Sequence, residues 1–213
     1  MPNTTNYSFP TPADTDLVKN GADAIRDLGD AVDTAMNTAL GTKKAGMVLL
    51  NTTSFSGAVS HSFGSDAAPI FTSAFTNYRI TLDNVNVATA NQDVSLRVRA
   101  NTTDLTGAVY QRQYGIFTGS TVLSGRQTGQ TTFTVGSVGN GANETSAFVI
   151  DIFNPQTTNY TSMMSTNMYL QTGLGPSTQI WSGYVSDQLQ YNGFTIFATN
   201  NVSGNMSVYG YNK

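Results

Sequence analysis

The side chains that most often do chemistry in enzymes are few in this sequence. Glu144 is the only glutamate, His61 is the only histidine, and cysteine is absent. A carboxylate pair for glycoside hydrolysis would need Glu144 and a distant aspartate, Asp151 or Asp187. A single histidine without cysteine excludes the common zinc sites and weakens any nucleophile–histidine–acid triad. The sequence therefore predicts a protein that is not an enzyme and uses no cofactor or metal, with a small carbohydrate-active enzyme as the rival hypothesis.

Other catalytic and ligand-binding motifs are also missing. Asp93, Asp104 and Asp187 are each followed by residues typical of turns, so we expect their carboxylates to bond the nearby backbone. Calcium binding through side-chain oxygens in loops is an open alternative, but no loop has acidic residues at the spacing of a calcium-binding motif. There is no nucleophile elbow, and the Gly139-x-Gly141 pair lacks the helix that follows a phosphate-binding loop.

The best candidates for ligand binding lie between residues 101 and 130, which we interpret as long loops. Loops rich in glycine with aromatic and basic side chains are where a β scaffold usually displays binding groups. The candidate receptor contacts are Tyr110, Arg112, Tyr114 and Arg126. Alternatively, Tyr110 and Tyr114 cover the edge of the core. Trp181, the only tryptophan, has the ring to stack on a sugar, although a buried core position is the favoured interpretation.

One segment, residues 11–41, has sustained helical periodicity. Thr11 suits the N-cap, Pro12 suits the first helical position, and Gly41 suits the end of the helix. Assigning Val18 to position a of a heptad places apolar or small residues along one stripe and polar residues opposite. The stripe consists of Val18, Gly21, Ile25, Leu28, Val32, Ala35 and Ala39.

This stripe is narrow and lined with small side chains, so an isolated helix would bury little apolar area. We therefore expect the helix to form a short coiled-coil stalk with copies of itself. The β-branched residues at the a positions, with Leu28 at d, suit a coiled coil of two helices as well as one of more helices. The alternative is an ordinary amphipathic helix that packs on its own β domain.

After the helix, the chain changes to short alternating runs separated by turns rich in Asn, Gly and Thr. Tyr78, Ile80 and Leu82 share one face of a strand, as do Val94, Leu96 and Val98 in the next, with Arg97 and Arg99 opposite. The predicted strands are 47–52, 58–63, 78–85, 93–100, 131–135, 147–153, 163–170, 180–185, 194–198 and 206–211. Nine to eleven such strands predict a mainly β protein whose body is an antiparallel, jelly-roll-like β-sandwich.

Composition narrows the possible partners and locations. Charged residues make up only 11% of the 213 residues and the formal net charge is -3, so we expect no nucleic-acid binding. The surface must be neutral and rich in hydroxyl and amide groups, which is typical of extracellular or particle-borne β proteins. No signal peptide or membrane-length apolar run is evident, so we expect no membrane insertion.

The N-terminal residues form a separate region in this interpretation. Residues 1–10 are predicted to be an extended leader whose aromatic side chains, Tyr7 and Phe9, anchor it in a larger assembly or pack on the start of the helix. The helix follows at 11–41, then a linker at 42–46 and the β-sandwich head at 47–213.

About 30 residues at the start resemble the N-terminal segment of many bacteriophage fibre and minor structural proteins. The matching residues are Phe9-Pro10-Thr11-Pro12, Asp14-Thr15-Asp16-Leu17-Val18-Lys19, Gly21-Ala22, Ala24-Ile25, Leu28-Gly29 and Val32-Asp33. Asn20 stands where that pattern has Asp, at a polar heptad position. The β part is more loosely similar, in FTSAFTNYRITLDNV and in the closing GNMSVYGYNK.

The resemblance implies a virion structural protein that is assembled in the host cytoplasm. Its leader would bind other phage structural proteins, its helix would trimerise, and its β heads would attach to a host-surface glycan or protein, as in a tail fibre or receptor-binding adhesin. A capsid-attached head fibre or a decoration (cement) protein has the same architecture and is the alternative.

Overall fold

The computed structural model describes residues 9, 18–36, 38, 46–89, 91–139, 144, 146–171, 173 and 175–211. The chain divides into two compact units, Met1–Gly46 and Met47–Lys213. The helix caps predicted at Thr11 and Gly41, linker residues 42–45, the anchor residue Tyr7 and the stripe residue Ala39 all lie outside the described residues. The other anchor candidate, Phe9, is half-buried.

In the described residues of the first unit, the helix α1 spans Val18–Met36. Four of the predicted stripe residues, Gly21, Leu28, Val32 and Ala35, are half-buried. Ile25 is 68% exposed, although it belongs to the same stripe. The sequence correctly predicted the helix, whereas its assembly into a coiled coil stays a prediction.

The second unit is built from eleven strands, all paired antiparallel in the described residues. They are β1 Met47–Phe63, β2 Asn77–Val87, β3 Gln92–Ala100, β4 Thr103–Asp104, β5 Tyr110–Thr118, β6 Thr121–Gln130, β7 Phe133–Val138, β8 Ser146–Phe153, β9 Thr161–Gln171, β10 Gly175–Val185 and β11 Gly193–Tyr211. The prediction of a mainly β, antiparallel domain is confirmed.

The strands form one curled sheet in the order β4-β3-β11-β2-β8-β9-β10-β5-β6, with β1 on β11 and β7 on β3. The curl follows from β11, whose residues 193–197 pair with β3 while residues 202–211 pair with β2. Because β11 changes partners along its length, β3 and β7 fold back over the remaining strands. The apolar core lies between these two layers.

The core is lined by the alternating residues that the sequence pattern predicted. Tyr78, Ile80 and Leu82 of β2 are buried, and so are Val94, Leu96 and Val98 of β3. A bulge after Leu82 shifts the alternation, so that Asn84 is exposed with φ 50° and Val85 points inward instead.

Three local predictions were wrong. The segments 47–52 and 58–63 are one strand, β1, which continues through Ser56-Gly57 by means of bulges between Leu49 and Asn51, Phe55 and Ala58, and Ala58 and Ser60. The segments 194–198 and 206–211 are likewise one strand, β11. Most of the region 101–130 is the hairpin β5–β6, because residues 110–118 pair with β10 in continuous register. Each of these strands pairs with a strand that is distant in the sequence. This pairing continues across glycines that appeared to end the strand.

Strands β9 and β10 bury polar side chains beside apolar ones such as Met163 and Trp181, and they expose apolar side chains on the other face. The buried side chains Ser165, Asn167 and Gln179 are polar, whereas Met168 and Ile180 on the opposite face are 59% and 42% exposed. The buried groups hold β7 in place. The Ser137 N–H donates to Asn167 Oδ1 at 3.2 Å, and Gln179 Nε2 donates to Ser137 Oγ at 2.9 Å. We call the face that carries Met168 and Ile180 the outer face.

Candidate functional site

A polar cleft of about 260 Å³ lies on the outer face where β5, β6 and β10 run side by side. The cleft is lined by Gln111, Arg112, Gln113, Arg126, Ser182, Gly183 and Tyr184. Amide, hydroxyl and guanidinium groups dominate this lining. They suit a ligand with many hydroxyl groups, because each supplies hydrogen-bond donors or acceptors.

Strand register brings these side chains together. Gln113 of β5 is opposite Ser182 of β10 on one side and Arg126 of β6 on the other. Gly183 pairs with Arg112, and a Cβ at Gly183 would stand only 2.0 Å from the Gln111 carbonyl oxygen. Glycine is therefore required there for β5 and β10 to approach each other closely at the base of the cleft.

An aromatic surface borders the cleft. The rings of Tyr160 and Tyr184 stack with centroids 5.4 Å apart and planes inclined by 13°. Tyr160 is 49% exposed and Tyr184 is 37% exposed, so part of this stacked pair faces solvent. A flat exposed ring next to hydrogen-bonding groups can receive the apolar C–H face of a sugar while neighbouring amides bind its hydroxyl groups.

Of the four predicted contact residues, only Arg126 presents an exposed side chain to the cleft. The Arg112 guanidinium instead enters the interior, where Nε donates to Gln127 Oε1 at 2.6 Å and Nη1 donates to the Thr132 carbonyl oxygen and to Thr134 Oγ1. It also lies 5.4 Å from the Trp181 ring centroid. Burial lowers the pKa of Arg112, although an arginine keeps its charge in proteins. Arg112 therefore stabilises the wall of the cleft.

Neither of the two predicted tyrosines is exposed, since Tyr110 is buried and Tyr114 is half-buried. Tyr110 is fully buried, accepts from the Val98 N–H and donates to the Leu105 carbonyl oxygen, both at 3.1 Å. Burial raises the pKa of its phenol. Tyr114 packs on Trp181 with ring centroids 4.7 Å apart. These positions fit the interpretation that both tyrosines cover the core.

Trp181 is a core residue and is not available to stack on a ligand. It is 4% exposed, and its Nε1 donates to Gln179 Oε1 at 3.0 Å.

The acids of the rival glycosidase hypothesis are far apart. Asp151 accepts two 2.8 Å bonds from Arg79 and one from the Tyr211 hydroxyl at 3.0 Å. Asp151 pairs with Met164, whereas the Glu144 carboxylate lies near Gly139 beside the Leu170 carbonyl. The six residue steps of β9 from Met164 to Leu170 span about 20 Å, whereas a catalytic pair of carboxylates needs a separation of about 5–9.5 Å.

The remaining candidates for chemistry make local structural contacts. Asp187 accepts from the Leu189 N–H at 3.1 Å, which is the turn role predicted for it. The same prediction for Asp93 and Asp104 was wrong, because Asp93 accepts from Ser137 Oγ and Asp104 accepts from Arg99 and Thr195 side chains. His61 is half-buried, lies 4.9 Å from the Phe55 ring, and bonds the Val202 carbonyl through Nε2. Among the described residues, no group of three or more metal-ligating His, Cys, Asp or Glu side chains converges. The described part of the chain also has no helix with the length and apolarity needed to cross a membrane.

A second cleft, of about 320 Å³, is a weaker candidate. It is lined by Asp66, Pro69, Phe71, Thr72, Asn101, Gln156, Gln190 and Asn192. Its polar groups bond one another, since Asn192 Nδ2 donates to Asp66 at 2.5 Å and Gln190 Nε2 donates to the Gln156 carbonyl at 3.0 Å. Its aromatic residue, Phe71, is fully buried. We therefore favour the first cleft.

Comparison of the chain with protein-family models, curated proteins and solved structures finds no match. The site must therefore be judged from its geometry.

Sequence reasoning missed Gln111, Gln113, Ser182, Tyr184 and Tyr160. One signal for the first two was present. In YQRQYGIFT, glutamines alternate with Tyr and Arg, a period-two pattern that indicates a strand with a polar outer face. Nothing in the sequence indicated which strand would lie beside it.

Proposed function

We propose that this chain is a non-enzymatic bacteriophage structural protein, a homotrimeric fibre whose β head attaches to glycans on the host surface. The observation that carries the attachment role is the exposed Tyr160–Tyr184 pair beside a cleft lined by Gln111, Gln113, Arg126 and Ser182. Shallow sites of this kind bind sugars weakly, so several copies on one stalk would gain effective concentration.

The stalk in this proposal is α1, with its predicted stripe from Val18 to Ala35 as the trimer interface. Self-association is supported by the exposed Ile25 and by the small or apolar residues that recur at the a and d positions of the stripe. The heads are proposed to be jelly-roll-like, which is supported by the two packed layers and by the change of partners along β11. The N-terminal motif carries the phage assignment, with Tyr7 and Phe9 as the proposed anchor to the particle.

The attachment site is tested by measuring how the purified full chain binds an array of bacterial surface polysaccharides. Tyr184→Ala should weaken binding at least tenfold, because it removes the stacking ring from the edge of the cleft. Tyr184→Phe keeps the ring and should retain most of the affinity, and Val59→Ala, on exposed β1, should change nothing. Wild-type affinity in Tyr184→Ala, or no polysaccharide bound by the wild type, would reject the attachment role.

Immunogold labelling of intact particles with antibody against the β domain tests the virion assignment. Label on the tail agrees with a receptor-binding fibre, and label on the capsid identifies the head-fibre or decoration alternative. Particles that carry no label would contradict both.

The rival hydrolase is tested with the same polysaccharides. The separation of Asp151 from Glu144 predicts that the chain releases no reducing sugar ends. Turnover that disappears in both Glu144→Gln and Asp151→Asn would establish an enzyme in place of the adhesin.

A further inference from the structure

The outer face carries an apolar patch that the attachment site does not use. We define the outer patch as Phe117, Val122, Val149, Met164, Met168 and Ile180, whose exposed fractions run from 39% to 66%. Strand register joins them on one surface. Ala147, Met168, Thr178, Phe117 and Val122 form one row across β8, β9, β10, β5 and β6, and Val149, Thr166 and Ile180 lie in the adjacent row.

The apolar side chains of the outer patch are neighbours on one surface and are not isolated exposed residues. Met164 and Met168 point outward from the same strand whose Ser165 and Asn167 point into the interior. Strand β9 has apolar residues on both faces, since Met163 and Tyr169 are buried, and its outer face is more apolar than the solvated face of a half-buried strand usually is. Exposed apolar area on the order of 500 Å², which these six side chains supply, is at the size where a patch marks an interaction surface.

We propose that the outer patch is a contact between β domains of neighbouring copies of this chain. This inference rests on the proposed function in one respect, because it takes α1 to hold the copies together. A stable stand-alone interface buries about 800 Å² on each partner, so the patch is too small to assemble separate heads. Tethering supplies the missing affinity as effective concentration.

The length of the connection allows the contact. The chain from Met36, at the end of α1, to Met47, at the start of β1, has eleven residue steps, which reach at most about 40 Å when fully extended. Copies whose helices are joined therefore keep their β domains within reach of one another.

The charge of the face also fits a second copy. The six patch residues carry no charge, and Asp151, which pairs with the patch residue Met164, already forms an ion pair with Arg79. Identical patches can therefore approach without repulsion between like charges. The two methionines add flexible side chains, which adapt to a neighbouring surface. The cleft with Arg126 borders the patch at Met164, which pairs with Ser182, whereas Met168, Phe117 and Val122 lie in the row farthest from the cleft.

Thiol labelling tests the contact, because the chain contains no native cysteine that could react. In the full chain, Met168→Cys should react with a maleimide at least tenfold more slowly than Val59→Cys, whose parent residue is comparably exposed at 49%. Adding Ile25→Asp and Leu28→Asp, which break the stalk, should release this protection. Equal labelling of both cysteines in the intact chain would overturn the inference.

Sedimentation of the same proteins separates the two proposals. An intact trimer with unprotected Met168→Cys would reject the patch contact and leave the fibre standing. A trimer that survives the stalk substitutions, with the cysteine still protected, would reject the stalk and would also contradict a contact that depends on tethering by α1. A monomer with a protected cysteine would show that part of the same chain covers the patch, which contradicts a contact between copies. Met168→Glu should raise the trimer dissociation constant at least tenfold, and Val59→Glu should leave it unchanged.

Discussion

Strands β3 and β9 both alternate strictly in burial, yet β3 buries only apolar side chains, whereas β9 buries polar residues together with Met163 and Tyr169. In β3, Val94, Leu96 and Val98 are buried and Arg97 points outward. In β9, Ser165 and Asn167 are buried, whereas Met164 and Met168 are exposed. Both strands have one face against the same core, so burial alone does not explain the difference.

The difference teaches that the two faces of β9 meet different partners. Its inner face receives β7, whose backbone groups need hydrogen bonds, and Asn167 and Ser165 supply them at 3.2 Å to the Ser137 N–H and 2.6 Å to the Val135 carbonyl. Its outer face has the apolar character of an interface. Apolarity in β3 marks the domain core, whereas in β9 we infer that it marks contact between copies.

The largest expected effect tests the close approach of β7 to β9. A Cβ at Gly136 would lie 2.5 Å from Asn167 Oδ1, and the Gly136 φ is +145°. Gly136→Ala should lower the free energy of unfolding by about 3–5 kcal/mol, from overpacking and backbone strain together. Urea denaturation measures this. Gly119→Ala is the control, because its φ is +53° but no atom lies within 4 Å, and it should cost about 1 kcal/mol. Equal losses would mean that the contact with Asn167 is unimportant.

A second experiment compares the two faces of β8. Ile150 is fully buried, and its neighbour Val149 belongs to the outer patch with 39% exposure. Ile150→Ala should destabilise the domain by about 3 kcal/mol because it leaves a cavity, and Val149→Ala should cost about 0.5 kcal/mol in dilute monomer. Thermal unfolding at low protein concentration gives both values. A large loss for Val149→Ala in the monomer would place the outer patch in the domain core.

Adjacent residues of β9 allow a smaller comparison. Asn167→Ala removes the acceptor of the buried Ser137 N–H and should cost about 2 kcal/mol. Met168→Ala should leave unfolding of the monomer almost unchanged and weaken only the association of copies. Denaturation across a range of protein concentrations distinguishes the two effects. If Asn167→Ala were neutral, the polar inner face would not be what holds β7.

The smallest effect at neutral pH is expected at Tyr191. Its ring is fully buried, and its hydroxyl has no hydrogen-bond partner in the described structure. Tyr191→Phe should therefore change stability at pH 7 by less than about 0.5 kcal/mol.

At high pH the same substitution should matter more. Burial raises the pKa of Tyr191, so the folded state keeps the phenol neutral while the unfolded chain ionises near pH 10. The contribution of the neutral phenol is complete below that pH and is lost as the pH rises above it. Urea midpoints from pH 8 to 11 should fall less steeply in Tyr191→Phe than in the wild type. Identical slopes would show that Tyr191 is not a source of alkaline sensitivity.

Local pattern alone determined much of this molecule. The helix from Val18 to Met36, the inward faces of β2 and β3 and the mainly β, antiparallel character all follow from periodicities of 3.6 and 2, which record how each element meets a core. The burial of Trp181 also agrees with its favoured interpretation. The phage resemblance and the trimeric stalk are proposals that wait for experiment.

Only the tertiary structure decided the rest. The pairing of β5 with β10 turned an apparent loop into strands, directed Arg112 inward, and placed Gln113 between Arg126 and Ser182. Strands β5 and β10 are more than fifty residues apart in the chain, so local sequence does not indicate their pairing. Alternation of side chains along a strand also does not indicate which of its two faces will be buried. On β9 the sequence pattern did not choose a face, because the inner side combines apolar residues with polar ones that bond the backbone of β7, while Met164 and Met168 face out.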